Sequence, residues 1–179
     1  MNCLKTAKDA LIEKLCLVCG LCCNGVIFAD VKLQPGDNAV RLRSAGLPVS
    51  RPRSARRPPC LNQPCAAWEG CRCRVYADRP QYCLQFECAL LKSVVAGRKL
   101  PAQALRLIRS THRRADQVRD LLRALGDKHE AVALSVRFRQ TAKRHQTTEL
   151  DAEAADTYGR LTLAFHNLNL RLSEAFYPG

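Results

Sequence analysis

Apolar positions along the chain mark helices at both ends and leave an irregular stretch between them. Leu4, Ala7, Leu11, Ile12 and Leu15 share one helical face. Thr6 with Asp9 resembles a weak capping box, although Thr6 also fits inside the helix. This helix delivers the chain into Cys16. Over residues 24–40 the pattern breaks into short strands or loops, with a brief apolar run at Val26-Ile27-Phe28 and a turn signal at Gln34-Pro35-Gly36-Asp37.

Helical spacing returns after residue 100. Ile108, Thr111, Ala115, Val118, Leu122 and Leu125 recur at alternating steps of three and four, with Pro101 suited to a first turn and Gly126 to a C-terminal cap. Residues 129–143 read as a helix on Ala131, Leu134, Phe138 and Ala142, while Val132, Leu134, Val136 and Phe138 also alternate like a strand. The last stripe is the cleanest, on Ala154, Tyr158, Leu161, Phe165, Leu168 and Leu172, with Thr148 and Asp151 as a capping box. These faces predict a helical hairpin or small bundle, with a coiled-coil dimer as the alternative. The expected fold class is therefore α+β: a small, irregular, metal-stabilised cysteine-cluster core at 1–95, then a helical hairpin or bundle at 100–179.

Between the helices, residues 41–58 hold six arginines and three prolines. They read as a basic, flexible, solvated loop. A phosphate-contacting arm is the competing reading, but the span lacks aromatic residues for base stacking. The formal charge of +13 attracts nucleic acid, anionic membrane or acidic proteins without choosing among them. Arg106, Arg109 and Arg113 form a basic row on one predicted helix, read as a wet face in preference to a docking surface. No stretch of about 18 apolar residues exists, so no membrane-spanning helix is expected. The N-terminal residues lack the apolar stretch and cleavage site of a secretory signal, so a cytoplasmic protein is expected.

Cysteine changes the picture most. The chain has 11, at 3, 16, 19, 22, 23, 60, 65, 71, 73, 83 and 88, all in the first half. An odd number cannot pair completely within one chain, and a reducing compartment keeps thiols free. Clustered thiols there point to metal. In Cys16-Leu-Val-Cys19-Gly20-Leu-Cys22-Cys23, the two-residue gaps let sulfurs converge on one metal across a tight turn, where Gly20 relaxes the backbone. Thiolates are soft donors that suit zinc or iron–sulfur clusters. The start resembles a ferredoxin-type run, but the fourth cysteine is adjacent to the third, so Cys22 and Cys23 are expected to point to different places. A second cluster follows: Cys60, Cys65, Cys71, Cys73, Cys83 and Cys88. Together they offer enough thiolates for two four-ligand sites or one polynuclear site. A structural zinc adds roughly 10–16 kcal/mol of binding energy to folding, enough to hold a loop-rich core.

Cys16-x-x-Cys19-Gly20-x-Cys22-Cys23, followed by Cys73-x-Val75-Tyr76-x-x-Arg79-Pro80-x-x-Cys83-x-x-Phe86-x-Cys88, resembles the YkgJ-type cysteine-cluster family. That family is described as a zinc- or iron-chelating domain, is often labelled an iron–sulfur-cluster protein, and is related to the flagellin lysine methylase. The resemblance covers residues 16–90, and Phe176-Tyr177-Pro178 looks like tails in that group. It implies Cys16, Cys19, Cys22, Cys23, Cys73, Cys83 and Cys88 as metal ligands, with Cys65 as an upstream partner. Cys60 and Cys71 are extra candidates, and Cys3 lies outside the site. The family usually has Arg where this chain has Leu84.

Other chemistry is less supported. His112, His129, His145 and His166 are scattered, and a cysteine nucleophile paired with one of them has no spacing behind it. Asp30, Asp37 and Asp78 are acid–base candidates without a readable pair. Tyr76 and Phe86 read as packing, and Arg79-Pro80 as a turn whose guanidinium caps carbonyls. No catalytic residue is assigned. The functional expectation is an iron–sulfur protein with a redox or cofactor role. A zinc-stabilised module binding an acidic protein or nucleic acid is the alternative, and an enzyme related to the flagellin methylase ranks third.

Overall fold

The computed structural model describes residues 7–50, 58–70, 72–146 and 151–177. Among these, the chain is mostly helical with one small antiparallel sheet, an α+β arrangement. Thr6 and Thr148, and with them both expected capping boxes, lie outside the described residues, as do Cys3, Cys71 and residues 51–57.

The first helix, α1 (Ala7–Cys19), runs further than the sequence indicates. Cys16 and Cys19 therefore occupy its last turn, on one face, rather than a tight loop. Gly20 ends the helix. Its φ of +57° is the left-handed conformation that glycine adopts freely, and its N–H donates to the Cys16 carbonyl at 2.9 Å.

Strands β1 (Asp30–Lys32) and β2 (Cys60–Asn62) pair antiparallel, with Val31 opposite Leu61. Both face inward onto a small core with Leu33, Leu42, Leu47, Val49 and Ala67. Leu42 belongs to α2 (Ala39–Ser44), a helix that occupies part of the span read as loop. Asn38 caps it by accepting the Arg41 N–H at 2.9 Å. Beside Arg41 and Arg43, the burial of Leu42, Leu47 and Val49 fixes residues 41–50 against the small core. Each such side chain contributes about 1.5–3 kcal/mol when fully buried. A single 3₁₀ turn (Tyr76–Asp78) leads to α3 (Gln81–Gln85) and α4 (Ala89–Val95).

The second half contains α5 (Pro101–Ala124), α6 (Leu134–Gln146) and α7 (Ala152–Ala175). α5 and α7 pack together along the predicted stripes: Ile108, Thr111, Ala115, Val118 and Leu122 meet Leu161, Leu168 and Leu172, all buried. Pro101 and Gly126 sit where the sequence places them, and Gly126 has φ +76°. Asp151 is itself the N-cap of α7, accepting the Ala154 N–H at 2.8 Å.

α6 departs from its predicted face. Leu134, Arg137 and Thr141 are buried, so the inward stripe is turned by one residue from Phe138 and Ala142. Arg137 can be buried because its Nε donates to Asp127 Oδ2 at 2.6 Å, in a pair whose side chains are 2% and 4% exposed. Phe138 remains at the margin, stacked on Phe165 with ring centroids 4.0 Å apart.

α5 and α7 share a larger core with Leu15, Leu21, Val26, Ile27, Leu90, Leu91 and Val94. Residues from both 1–95 and 100–179 thus contribute to this larger core. The chain end closes it: Phe176 is fully buried and its carbonyl accepts the Ala89 N–H at 3.1 Å, beside Cys88. No helix among the described residues is long and apolar enough to cross a membrane.

Candidate metal centre

Between the two apolar cores lies a cavity of about 140 Å³. Cys16, Cys19, Cys22, Cys23, Cys65, Cys73, Cys83 and Cys88 all line it. These are the eight residues proposed as ligands, and they arrive from four separate stretches of chain. Cys16 and Cys19 come from the end of α1, and Cys22 and Cys23 from the turn after Gly20. Cys65 and Cys73 flank Trp68, and Cys83 and Cys88 sit on α3 and just before α4. The described cysteines are free thiols.

The thiols sort by the core they touch. Cys19, Cys22 and Cys88 pack against the larger core. Cys65, Cys73 and Cys83 pack against the smaller one. Electrostatics assigns the other two. Burial pushes the Cys16 thiol up to about 11, and the like charge of Cys88 adds to the rise. Burial pushes Cys23 up to about 12, reinforced by Cys65, Cys83 and Cys73. By core contact and neighbouring charge, Cys16, Cys19, Cys22 and Cys88 lie on one side of the cavity and Cys23, Cys65, Cys73 and Cys83 on the other. The adjacent Cys22 and Cys23 fall on different sides of this division, and each feels a charge from across it.

Burial is the dominant cause of the raised thiols throughout. Cys19 is pushed up to about 12 and Cys83 to about 11, while Cys65 and Cys88 are raised. Backbone N–H groups partly offset this, as where Cys88 Sγ caps α4 by accepting the Leu91 N–H at 3.4 Å. Protonated thiols are poor nucleophiles, and reactive cysteines need the opposite shift. Soft donors crowded in one cavity instead suit a cation that neutralises them as protons leave. In type and number the donors fit zinc or iron–sulfur. Among the described residues, however, no three Cys, His, Asp or Glu side chains stand in the close arrangement that a single ion requires.

Several neighbours complete the site. Arg79 lines the cavity, and its charge favours ionisation of both Cys16 and Cys83, one thiol from each group. Its Nε donates to the Tyr76 carbonyl at 3.0 Å, and its guanidinium lies 3.6 Å from the Tyr76 ring centroid. The turn-capping role thus places a cation at the cavity wall. Phe86 stacks with Tyr82 and meets Phe28 edge-on, a packing role. Leu84 is 53% exposed and outside the cavity lining.

Cys60 stands apart. Its Sγ lies 2.9 Å from Ser50 Oγ, and it does not line the cavity. Asp37 is structural, accepting the N–H groups of Gln34 at 2.7 Å and Gln81 at 2.8 Å. Asp78 pairs with Arg41 at 2.8 Å, and Asp30 is exposed in β1.

Sequence reasoning passed over Trp68 and Gln63 and read His112 only as one of four scattered histidines. Trp68 covers Gly20, where an added Cβ would lie 2.8 Å from Trp68 Cε2. Gln63 is 3% exposed at the cavity wall, and its Oε1 has no hydrogen-bond partner among the described residues. His112 Nε2 lies 2.7 Å from the Cys19 carbonyl and ties α5 to the end of α1. Only Trp68 carried a sequence signal, as the single tryptophan between Cys65 and Cys73.

The chain matches no family model, no curated protein and no solved structure.

Proposed function

We propose that this chain is a cysteine-ligated iron–sulfur protein with a redox or cofactor role, of the kind that its resemblance to the YkgJ-type family implies. One observation carries the reading: eight thiols from four chain segments line one cavity between two cores. Cys16, Cys19, Cys22 and Cys88 would hold one metal group, and Cys23, Cys65, Cys73 and Cys83 the other. Bound there, the metal would supply electron storage in an apolar setting. The protein's own part is to hold the thiols, to place Arg79 against their negative charge and to limit water through Trp68, Phe28 and Phe86. Keeping so many thiols reduced accords with a cytoplasmic setting.

The deciding experiment is the metal and acid-labile sulfide content of anaerobically purified protein, with its visible spectrum. Iron with matching sulfide and broad visible absorbance supports the proposal. Stoichiometric zinc without sulfide replaces it with the second reading, a zinc-stabilised binding module. That reading draws on Arg106, Arg109 and Arg113, which are exposed on α5 and form no ion pair with any described residue. Its partner would be an acidic protein or nucleic acid, and its binding would weaken with salt.

A further inference from the structure

A second cavity, of about 170 Å³, shares a wall with the cysteine cavity. Cys65 and Trp68 line both. The far side of the second cavity carries Asn24, Arg119, Glu130 and Arg137. Its polar groups are unevenly matched. Glu130 is the carboxylate present, and both its oxygens are engaged by Arg123, at 2.5 and 3.1 Å. Asn24 Oδ1 accepts the Val26 N–H at 3.2 Å. The acceptors are therefore already in use.

The donors are not. A guanidinium carries five N–H donors. Arg137 is 2% exposed and places its Nε on Asp127, but its Nη2 has no hydrogen-bond partner among the described residues. Arg119 places Nη1 on Asp116 at 2.7 Å, with its side chain only 18% exposed. A buried donor left unmatched costs about 1–3 kcal/mol, so a native site of this kind calls for an acceptor. The acceptor that fits two guanidinium groups is an oxyanion, bound through charge-assisted and bidentate hydrogen bonds.

We infer that this second cavity binds a small oxyanion, of the carboxylate or phosphate type, held by Arg119 and Arg137 against the Trp68 wall. A ligand seated there would lie against Cys65, a member of the Cys23, Cys65, Cys73 and Cys83 group, where it would occupy the position of a substrate or effector of the proposed metal centre. The binding itself uses none of the thiols except Cys65 as wall, so it stands or falls separately from the metal reading.

The test is isothermal titration calorimetry of the full chain, as purified, with acetate and with inorganic phosphate, and with chloride at matched ionic strength. Metal and sulfide are measured on the same samples. The expected result is saturable binding of acetate, phosphate or both, with chloride giving no saturable heat. Saturation by acetate alone identifies a carboxylate site, and by phosphate alone a phosphate site. Arg119→Gln should weaken binding about tenfold or more. Arg137→Lys keeps a cation for Asp127 while removing Nη2, and should weaken binding with the fold intact by circular dichroism. Lys143→Gln, an exposed charge on α6, should leave binding unchanged. No saturable oxyanion binding, an equal response to chloride, or unchanged affinity in the folded Arg119 and Arg137 variants would overturn the inference. Loss of iron with oxyanion binding intact would sink the metal proposal alone.

Discussion

His112 Nε2 lies 2.7 Å from the carbonyl oxygen of Cys19, so a hydrogen bond between α5 and α1 falls on a residue that lines the cysteine cavity. The last carbonyls of a helix lack partners within it, and this imidazole satisfies one of them. His112→Ala should cost about 1–3 kcal/mol of stability, the range for leaving a buried acceptor unmatched. His112→Gln retains a donor and should recover part of that loss. Chemical denaturation midpoints of the three proteins decide the matter, and equal midpoints for Ala and Gln would show that the contact is incidental.

Gly20 and Trp68 make a second test. Alanine at Gly20 must adopt a left-handed conformation that costs roughly 1–2 kcal/mol, and its Cβ would also press on the indole. Gly20→Ala should lower the melting temperature and metal content together. Because Trp68 is the only tryptophan, its emission would report the displacement directly. An unchanged spectrum with unchanged metal content would mean that the indole does not seal this wall.

The division of the thiols predicts how metal is lost. Cys19→Ser and Cys65→Ser should each remove roughly half of the bound metal, and the double variant nearly all of it. Cys60→Ser should have no effect, because Cys60 turns toward Ser50. Metal analysis on purified variants reads the result. A complete loss in either single variant would point to one shared polynuclear site instead.

Asp127 and Arg137 set a pH dependence. Burial raises the Asp127 carboxyl, but the Arg137 hydrogen bond and the His129 N–H outweigh it and hold the group below its ordinary value of 3.8. A depressed carboxyl contributes stability that is present above 3.8 and lost as pH falls through the folded value. Asp127→Asn should remove this acid slope and cost about 3–5 kcal/mol at neutral pH by stranding Arg137. Pairing it with Arg137→Met should restore much of the loss. Thermal melts from pH 6 down to pH 3 would show both effects.

Repeated local chemistry was readable from the chain alone. The stripes of α5 and α7 depend on the 3.6-residue helical period, and Pro101 and Gly126 act through their own backbone limits. Clustering marked the cysteines of the first half as a group, a family resemblance singled out the eight that line the cavity, and the neighbouring Cys22 and Cys23 were expected to point to different places. What the tertiary structure decided depends on distant partners. Arg137 is buried only because Asp127 meets it, so a charge that reads as solvent-facing turns the face of α6. Leu42, Leu47 and Val49 hold residues 41–50 in place only because Val31 and Leu61 of the sheet share their core. Six of the thiols divide by the core they pack against, Cys16 and Cys23 by their charged neighbours, and Trp68, Gln63 and His112 reach the site through folding. Local periodicity and backbone stereochemistry are properties of neighbouring residues, whereas desolvation and charge pairing belong to residues that meet only after the chain has folded.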